Sequence, residues 1–163
     1  MGLVGEIEAA RRGATLQKEP KPEVEFDARK MKVHFTAVIN ADVNGIRPVV
    51  ARVMQVIQDM KCGMGKEFEI ELALQEALAN AIVHGCCNDP SKNVEFCVAC
   101  DELRGLLIIV RDPGRGFDPA SIPDPTVGEN VYSDHGRGIF LVNQLMDEVH
   151  FERGGTEIHM RKY

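Results

Sequence analysis

The sequence predicts an α+β fold, a two-layer sandwich of a mainly antiparallel sheet with helices on one face. Three observations carry that prediction. Short runs alternate apolar and polar residues at the spacing of half-buried strands. Two longer stretches place apolar residues at i, i+3, i+4 and i+7, the spacing of amphipathic helices. Most strands follow one another through short turn signals rather than through crossover helices, which favours antiparallel pairing and leaves the helices on one side.

The elements follow in order. Residues 1–30 mix six basic and six acidic residues with Pro20 and Pro22 and have few large apolar side chains. That is the composition of a loosely ordered extension; a short helix over Glu6–Arg12 and a partner-binding arm are the alternatives. The folded domain then spans residues 31–163. Val33, Phe35, Ala37 and Ile39 alternate with Lys32, His34 and Thr36 as a first strand. Asn40, Asp42 and Asn44 offer caps. Ile46, Val49, Val50, Val53, Met54, Ile57 and Met60 make the first helix, ended by Cys62-Gly63-Met64-Gly65. Ile70, Ala73, Leu74, Ala77, Leu78, Ala81 and Ile82 make the clearest helix, which stops at Gly85.

Val94, Phe96 and Val98 form a second strand, Asp101–Gly105 a turn, and Leu106–Val110 a continuous apolar run that reads as a central strand. Residues 113–135 are rich in proline, glycine and polar side chains. A loop of that length in a small domain points to function. Ile139, Leu141, Val142 and Leu145 place a short helix over Gly138–Asp147. Two last strands, around Phe151 and Ile158, are joined by Arg153-Gly154-Gly155. No internal repeat is visible.

Composition excludes several functions. The 163 residues suffice for one domain, and the net charge of −6 argues against direct nucleic-acid binding. No run of about 18 apolar residues is present to span a membrane. Five cysteines, two of them adjacent (Cys86 and Cys87), make a poor disulfide framework, and the N-terminus lacks the pattern of a signal peptide. These features predict a cytoplasmic protein. Glu6 removes the N-myristoylation motif. Cys97 and Cys100 would point to opposite faces of a strand, so no zinc or redox role is expected. His34, His150 and His159 read as surface or packing residues. Gly63-Met64-Gly65-Lys66 glances at a P-loop but lacks the first glycine and the Ser/Thr, and it follows a helix.

Three short segments carry chemistry. Glu76, Asn80 and His84 fall on one strip of the second helix, beside its apolar stripe. A carboxamide oxygen suits Mg²⁺, and a carboxylate one turn away suits proton abstraction. The same two residues also fit the solvated flank of an ordinary amphipathic helix. Asp112-Pro113-Gly114-Arg115-Gly116-Phe117 follows a buried strand, where a carboxylate beside glycines can accept a hydrogen bond from an exocyclic amine; a plain glycine turn is the alternative. His135-Gly136-Arg137-Gly138 opens a helix and exposes backbone N–H groups suited to phosphate.

In this order, Glu76–Gly85, Asp112–Phe117 and Gly136–Gly138 resemble the conserved boxes of the GHKL family of ATP-binding domains, which includes gyrase, MutL and the histidine kinases. The detailed form Glu76-Ala-Leu-Ala-Asn80-Ala-Ile-Val-His84-Gly85 is most similar to bacterial anti-sigma serine kinases of partner-switching systems. The closing segment from Phe151 to Met160 also fits, so the resemblance spans about residues 31–163. It implies the two-layer fold already read from periodicity, with ATP and Mg²⁺ as cofactors. Asn80 would coordinate Mg²⁺, and Glu76 would be the general base on a partner's serine. Asp112 would bind the adenine amine, with Gly114 and Gly116 shaping that wall and Thr156 supporting it. Residues 118–135 would form a lid, and Gly136 and Gly138 would bind phosphate oxygens. The resemblance leaves Arg115 and Arg137 without a role.

The implied partners are a sigma factor, which the protein would sequester, and a STAS-domain antagonist, which it would phosphorylate. A homodimer is what the family suggests. Residues 1–30 are not expected to supply the helical dimerisation segment of a histidine kinase, and an ending at Tyr163 is expected to leave no room for the further domain of gyrase-like and MutL-like enzymes. An ATP-binding regulator of the same fold without significant kinase activity is the alternative.

Overall fold

The computed structural model describes residues 33–121 and 136–163. The expected extension over residues 1–30, and most of the expected lid, lie outside the described residues. One sheet is built from β1 (Val33–Asn40), β2 (Asn93–Asp101), β3 (Gly105–Arg111), β4 (Glu148–Glu152) and β5 (Glu157–Lys162), in the order β1-β2-β3-β5-β4. Every neighbouring pair is antiparallel. Helices α1 (Ile46–Asp59), α2 (Glu67–Asn80) and α3 (Arg137–Leu145) share one core with a single face of this sheet. The α+β sandwich expected from the sequence is the observed fold. No helix among the described residues is long and apolar enough to cross a membrane.

The apolar run of β3 follows from its position. Leu106, Ile108 and Val110 face the helices, while Leu107 and Ile109 join Ala99 in a small cluster on the other face. A central strand buried on both faces has no reason to alternate. Helix α2 packs between α1 and α3, which is why Ile70, Leu74 and Leu78 are completely buried and its apolar face is broad. Asp42 caps the entry to α1, its Oδ1 accepting from the Asn44 N–H at 2.9 Å.

The end of β5 is tied to the helices. Lys162, itself buried, donates from Nζ to the Leu145 carbonyl (2.6 Å) and pairs with Glu69 of α2 at 2.9 Å. His159 is a packing residue, 5% exposed, its Nε2 lying 2.7 Å from Glu157 Oε1.

One expectation is corrected. Cys62, in the turn between α1 and α2, forms a disulfide with Cys100 near the end of β2, their Cα atoms 6.3 Å apart. Strand alternation separates Cys97 from Cys100 as expected, and it is this alternation that turns Cys100 into the helix-side core beneath the turn. Cys86, Cys87 and Cys97 are free.

Candidate functional site

A cavity of about 740 Å³ opens between the end of α2, the segment after β3, the start of α3 and the β4–β5 turn. That volume falls within the roughly 300–1,000 Å³ of small-molecule sites. Its apolar walls come from Ala77, Val110, Ile139, Phe151 and Ile158, with polar groups from three segments converging on them.

The first segment is the end of α2. Helix α2 stops at Asn80 and continues as one wider π-helical turn, Ala81–Gly85, in which the Cys86 N–H donates to the Ala81 carbonyl five residues back at 2.8 Å. A uniform helical period does not express this change of winding. Glu76 and Asn80 stay one α-helical turn apart, whereas His84 reaches the cavity from the wider turn. Such turns inside helices are common at functional sites.

The second segment starts where β3 ends. The Asp112 N–H donates to the Thr156 carbonyl (3.0 Å), and Asp112 Oδ1 accepts from the Gly114 N–H at 2.8 Å. A Cβ on Gly85 would run into the Asp112 carboxyl group, and one on Gly114 would stand 2.5 Å from the Gly85 carbonyl. Glycine at both places therefore lets the end of α2 close onto the end of β3. Gly116 has φ +74°, and a Cβ there would collide with the Gly154 carbonyl, to which Phe117 N–H donates at 2.9 Å. Thr156 Oγ1 donates to the Arg153 carbonyl (3.0 Å). Thr156 thus braces the turn whose backbone holds Asp112.

Burial raises the Asp112 pKa, against the lowering effect of the Gly114 N–H. A carboxyl group raised in the fold stabilises it below the unfolded-state value, and that contribution is lost as pH rises through the folded-state value. Asp112→Asn should therefore raise the melting temperature of the ligand-free protein at neutral pH, and the gap should narrow on acidification. The same change should weaken binding of a ligand that donates an amine hydrogen by about 10- to 100-fold, the worth of a charge-assisted bond. Thermal melts over a pH series and calorimetric titration with ATP would check both signs.

The third segment is the start of α3. Gly136, with φ +94°, is the N-cap and lines the cavity, so the free N–H groups of the helix begin there. A Cβ on Gly138 would lie 2.7 Å from Glu76 Oε2 and 3.1 Å from Asn80 Nδ2. Glycine at 138 lets α3 rest directly on these two side chains.

The predicted residues are thus distributed as follows. Asn80, Asp112, Gly114, Gly116, Gly136 and Thr156 line one cavity. Glu76 and Gly138 meet each other beside it and are not on its wall. Of the expected lid, a short 3₁₀ turn at Pro119–Ser121 is described, and Ser121 lines the cavity; residues 122–135, His135 included, lie outside the described residues. Sequence reasoning missed Lys92 and Cys87 as lining residues, and it gave Phe117 and Phe151 no role of their own although both fall in segments it singled out. Alternation placed Phe151 on a strand without saying what it faced, and Lys92 belongs to no motif.

The Asn80 side-chain oxygen, beside Glu76 under Gly138, suits a hard cation such as Mg²⁺, which takes few protein ligands. A second group of possible metal ligands among the described residues, Glu152, Glu157 and His159, lies elsewhere. There Glu157 Oε2 is already engaged by Arg111 (2.5 Å) and Arg153 (3.1 Å). Burial opposes its charge, yet the His159 and Arg111 hydrogen bonds hold its carboxyl below the usual value. That group is an ion-pair network.

Comparison with known proteins agrees with this geometry. A family model described as a histidine kinase-like ATPase domain matches residues 39–162. The chain is 30% identical over 145 residues to the serine-protein kinase RsbW of Bacillus licheniformis, covering 81% of this chain and 80% of that one. It is 28% identical over 150 residues to RsbW of Bacillus subtilis, covering 84% and 86%. An anti-sigma F factor of Bacillus cytotoxicus is 34% identical over 101 residues, 58% of this chain and 68% of that one. A match over most of the chain, on a sheet and helices of the expected order around an Asn80–Asp112 cavity, places this protein in the GHKL-type, histidine kinase-like ATPase family.

Proposed function

We propose that this protein is an anti-sigma-type serine kinase, which binds ATP with Mg²⁺, sequesters a sigma factor and phosphorylates a serine of a STAS-domain antagonist. The observation that carries this reading is that Asn80 and Asp112 line one cavity, with Glu76 beside Asn80 under Gly138 just behind its wall. The similarity to serine-protein kinases and an anti-sigma F factor supports the choice of partners. We place its work in the cytoplasm, as a homodimer, without direct nucleic-acid contact.

Phosphoryl transfer asks a protein mainly for positioning and charge stabilisation. Asp112 accepts the exocyclic amine hydrogen of adenine, and the Gly114 N–H keeps its carboxyl oriented. The start of α3 would take the phosphates, the backbone N–H groups of Gly136 on the wall and of Gly138 behind it donating to their oxygens. Asn80 would hold the Mg²⁺, which would neutralise phosphate charge when bound. Glu76, one turn from Asn80, would take the proton of the serine hydroxyl as that oxygen bonds to the γ-phosphorus and the bond to the β–γ bridging oxygen breaks, releasing ADP.

The position of Glu76 off the cavity wall favours a second reading, an ATP-binding regulator of the same fold without significant transfer. Incubation with γ-labelled ATP, Mg²⁺ and candidate STAS-domain partners separates the two. Label on a partner serine is the expected result; nucleotide binding without transfer to any partner leaves the regulator.

A further inference from the structure

We infer that Lys92 and Arg115 hold the base of the nucleotide rather than its phosphates, an inference that rests on the nucleotide reading above. Both side chains line the cavity. Neither pairs with a carboxylate among the described residues, whereas Arg111, Arg153 and Lys162 each do. Although Lys92 lies in the field of Asp89, neither has a carboxylate within ion-pair distance among the described residues, so both can offer donors to a ligand in the cavity.

Their position along the cavity decides which part of the ligand they meet. Lys92 immediately precedes β2, and Arg115 follows β3 by a few residues. Because β2 and β3 are antiparallel with Glu95 opposite Arg111, both cations stand at the same end of the sheet, which is also the end that carries Asp112. The Cys86 thiol, pushed up chiefly by burial, feels both Asp112 and Lys92, in keeping with that placement. The start of α3 contacts the helix elsewhere. Gly138 rests on Asn80 and Glu76, whereas Asp112 rests on Gly85, five residues further along. The two contacts therefore fall at different heights along this helical segment. Phosphates at the α3 end put the base at the Asp112 end, between the two cations.

The chemistry is complementary there. A carboxylate such as Asp112 only accepts hydrogen bonds, so it serves the exocyclic amine and leaves the ring nitrogens of adenine, which are acceptors, without donors. Lys92 offers an ammonium with three donors. Arg115 offers a planar guanidinium that both donates and stacks on an aromatic face. Together with Asp112 they give the base one acceptor and two donors.

Adenosine, ADP and ATP separate a base contact from a phosphate contact. The full chain and its Lys92→Gln and Arg115→Gln variants would be titrated calorimetrically with each, and thermal melts would confirm that the variants fold. Each variant is expected to weaken all three ligands by a similar factor of about 5 to 10, near 1 kcal/mol, and Lys92→Arg should restore most of the affinity lost in Lys92→Gln. A loss that spares adenosine and grows with the number of phosphates overturns the inference. Unchanged affinities overturn it too, as does a wild type that binds ATP but shows no adenosine binding. A wild type that binds neither ATP nor ADP removes the nucleotide reading itself, and the inference with it.

Discussion

Glu76→Gln is expected to lower phosphoryl transfer to the partner serine by roughly 100- to 10,000-fold, the usual contribution of a general base. ATP affinity should stay close to wild type, because Glu76 stands behind Gly138 and is not on the cavity wall. Glutamine keeps the size of the side chain, so the contact of α3 with Glu76 and Asn80 remains and the fold is little disturbed. Labelled-ATP transfer and calorimetric titration on the same preparation check the split. A variant that loses binding and transfer together would assign Glu76 to holding α3 in place. A variant that transfers normally would remove it from the chemistry.

Reducing the Cys62–Cys100 bridge should cost the protein about 4 kcal/mol, the loop-closure value for a bridge with a sequence separation of 38. For a domain of this size that corresponds to a fall in melting temperature of about 10 °C. Denatured protein should show three reactive thiols before reduction and five after it. The bridge joins the α1–α2 turn to β2 and neither cysteine lines the cavity, so ATP affinity measured well below the melting range should be the same in both states. Five reactive thiols without reductant, or melts that do not respond to it, would contradict the bridge.

Much of the fold was legible because burial repeats with the period of the backbone. Ile70, Leu74 and Leu78 recur at helical spacing, and they are the residues that α2 buries between α1 and α3. The unbroken run Leu106–Val110 signalled a strand covered on both faces, and β3 lies inside the sheet. The turn Arg153-Gly154-Gly155 announced the β4–β5 hairpin, whose register sets Glu152 against Glu157. What escaped has no local period. The Cys62–Cys100 bridge joins residues 38 apart, and nothing near either cysteine names the other. The π-helical turn after Asn80, which carries His84, is a change of winding that a uniform period cannot express.

The sequence by itself determined the layers, the antiparallel pairing and the types of group available to a nucleotide. These follow from side-chain periodicity, glycine placement and motif spacing, all local properties of the chain. Only the tertiary structure decided how those groups face one another. Asp112 lies against Gly85, and Glu76 lies beneath Gly138 rather than in the cavity. Lys92 reaches the same end of the sheet as Arg115 because β2 and β3 run antiparallel. Such juxtapositions depend on which strands become neighbours and how closely helices approach them, and a linear pattern carries neither quantity.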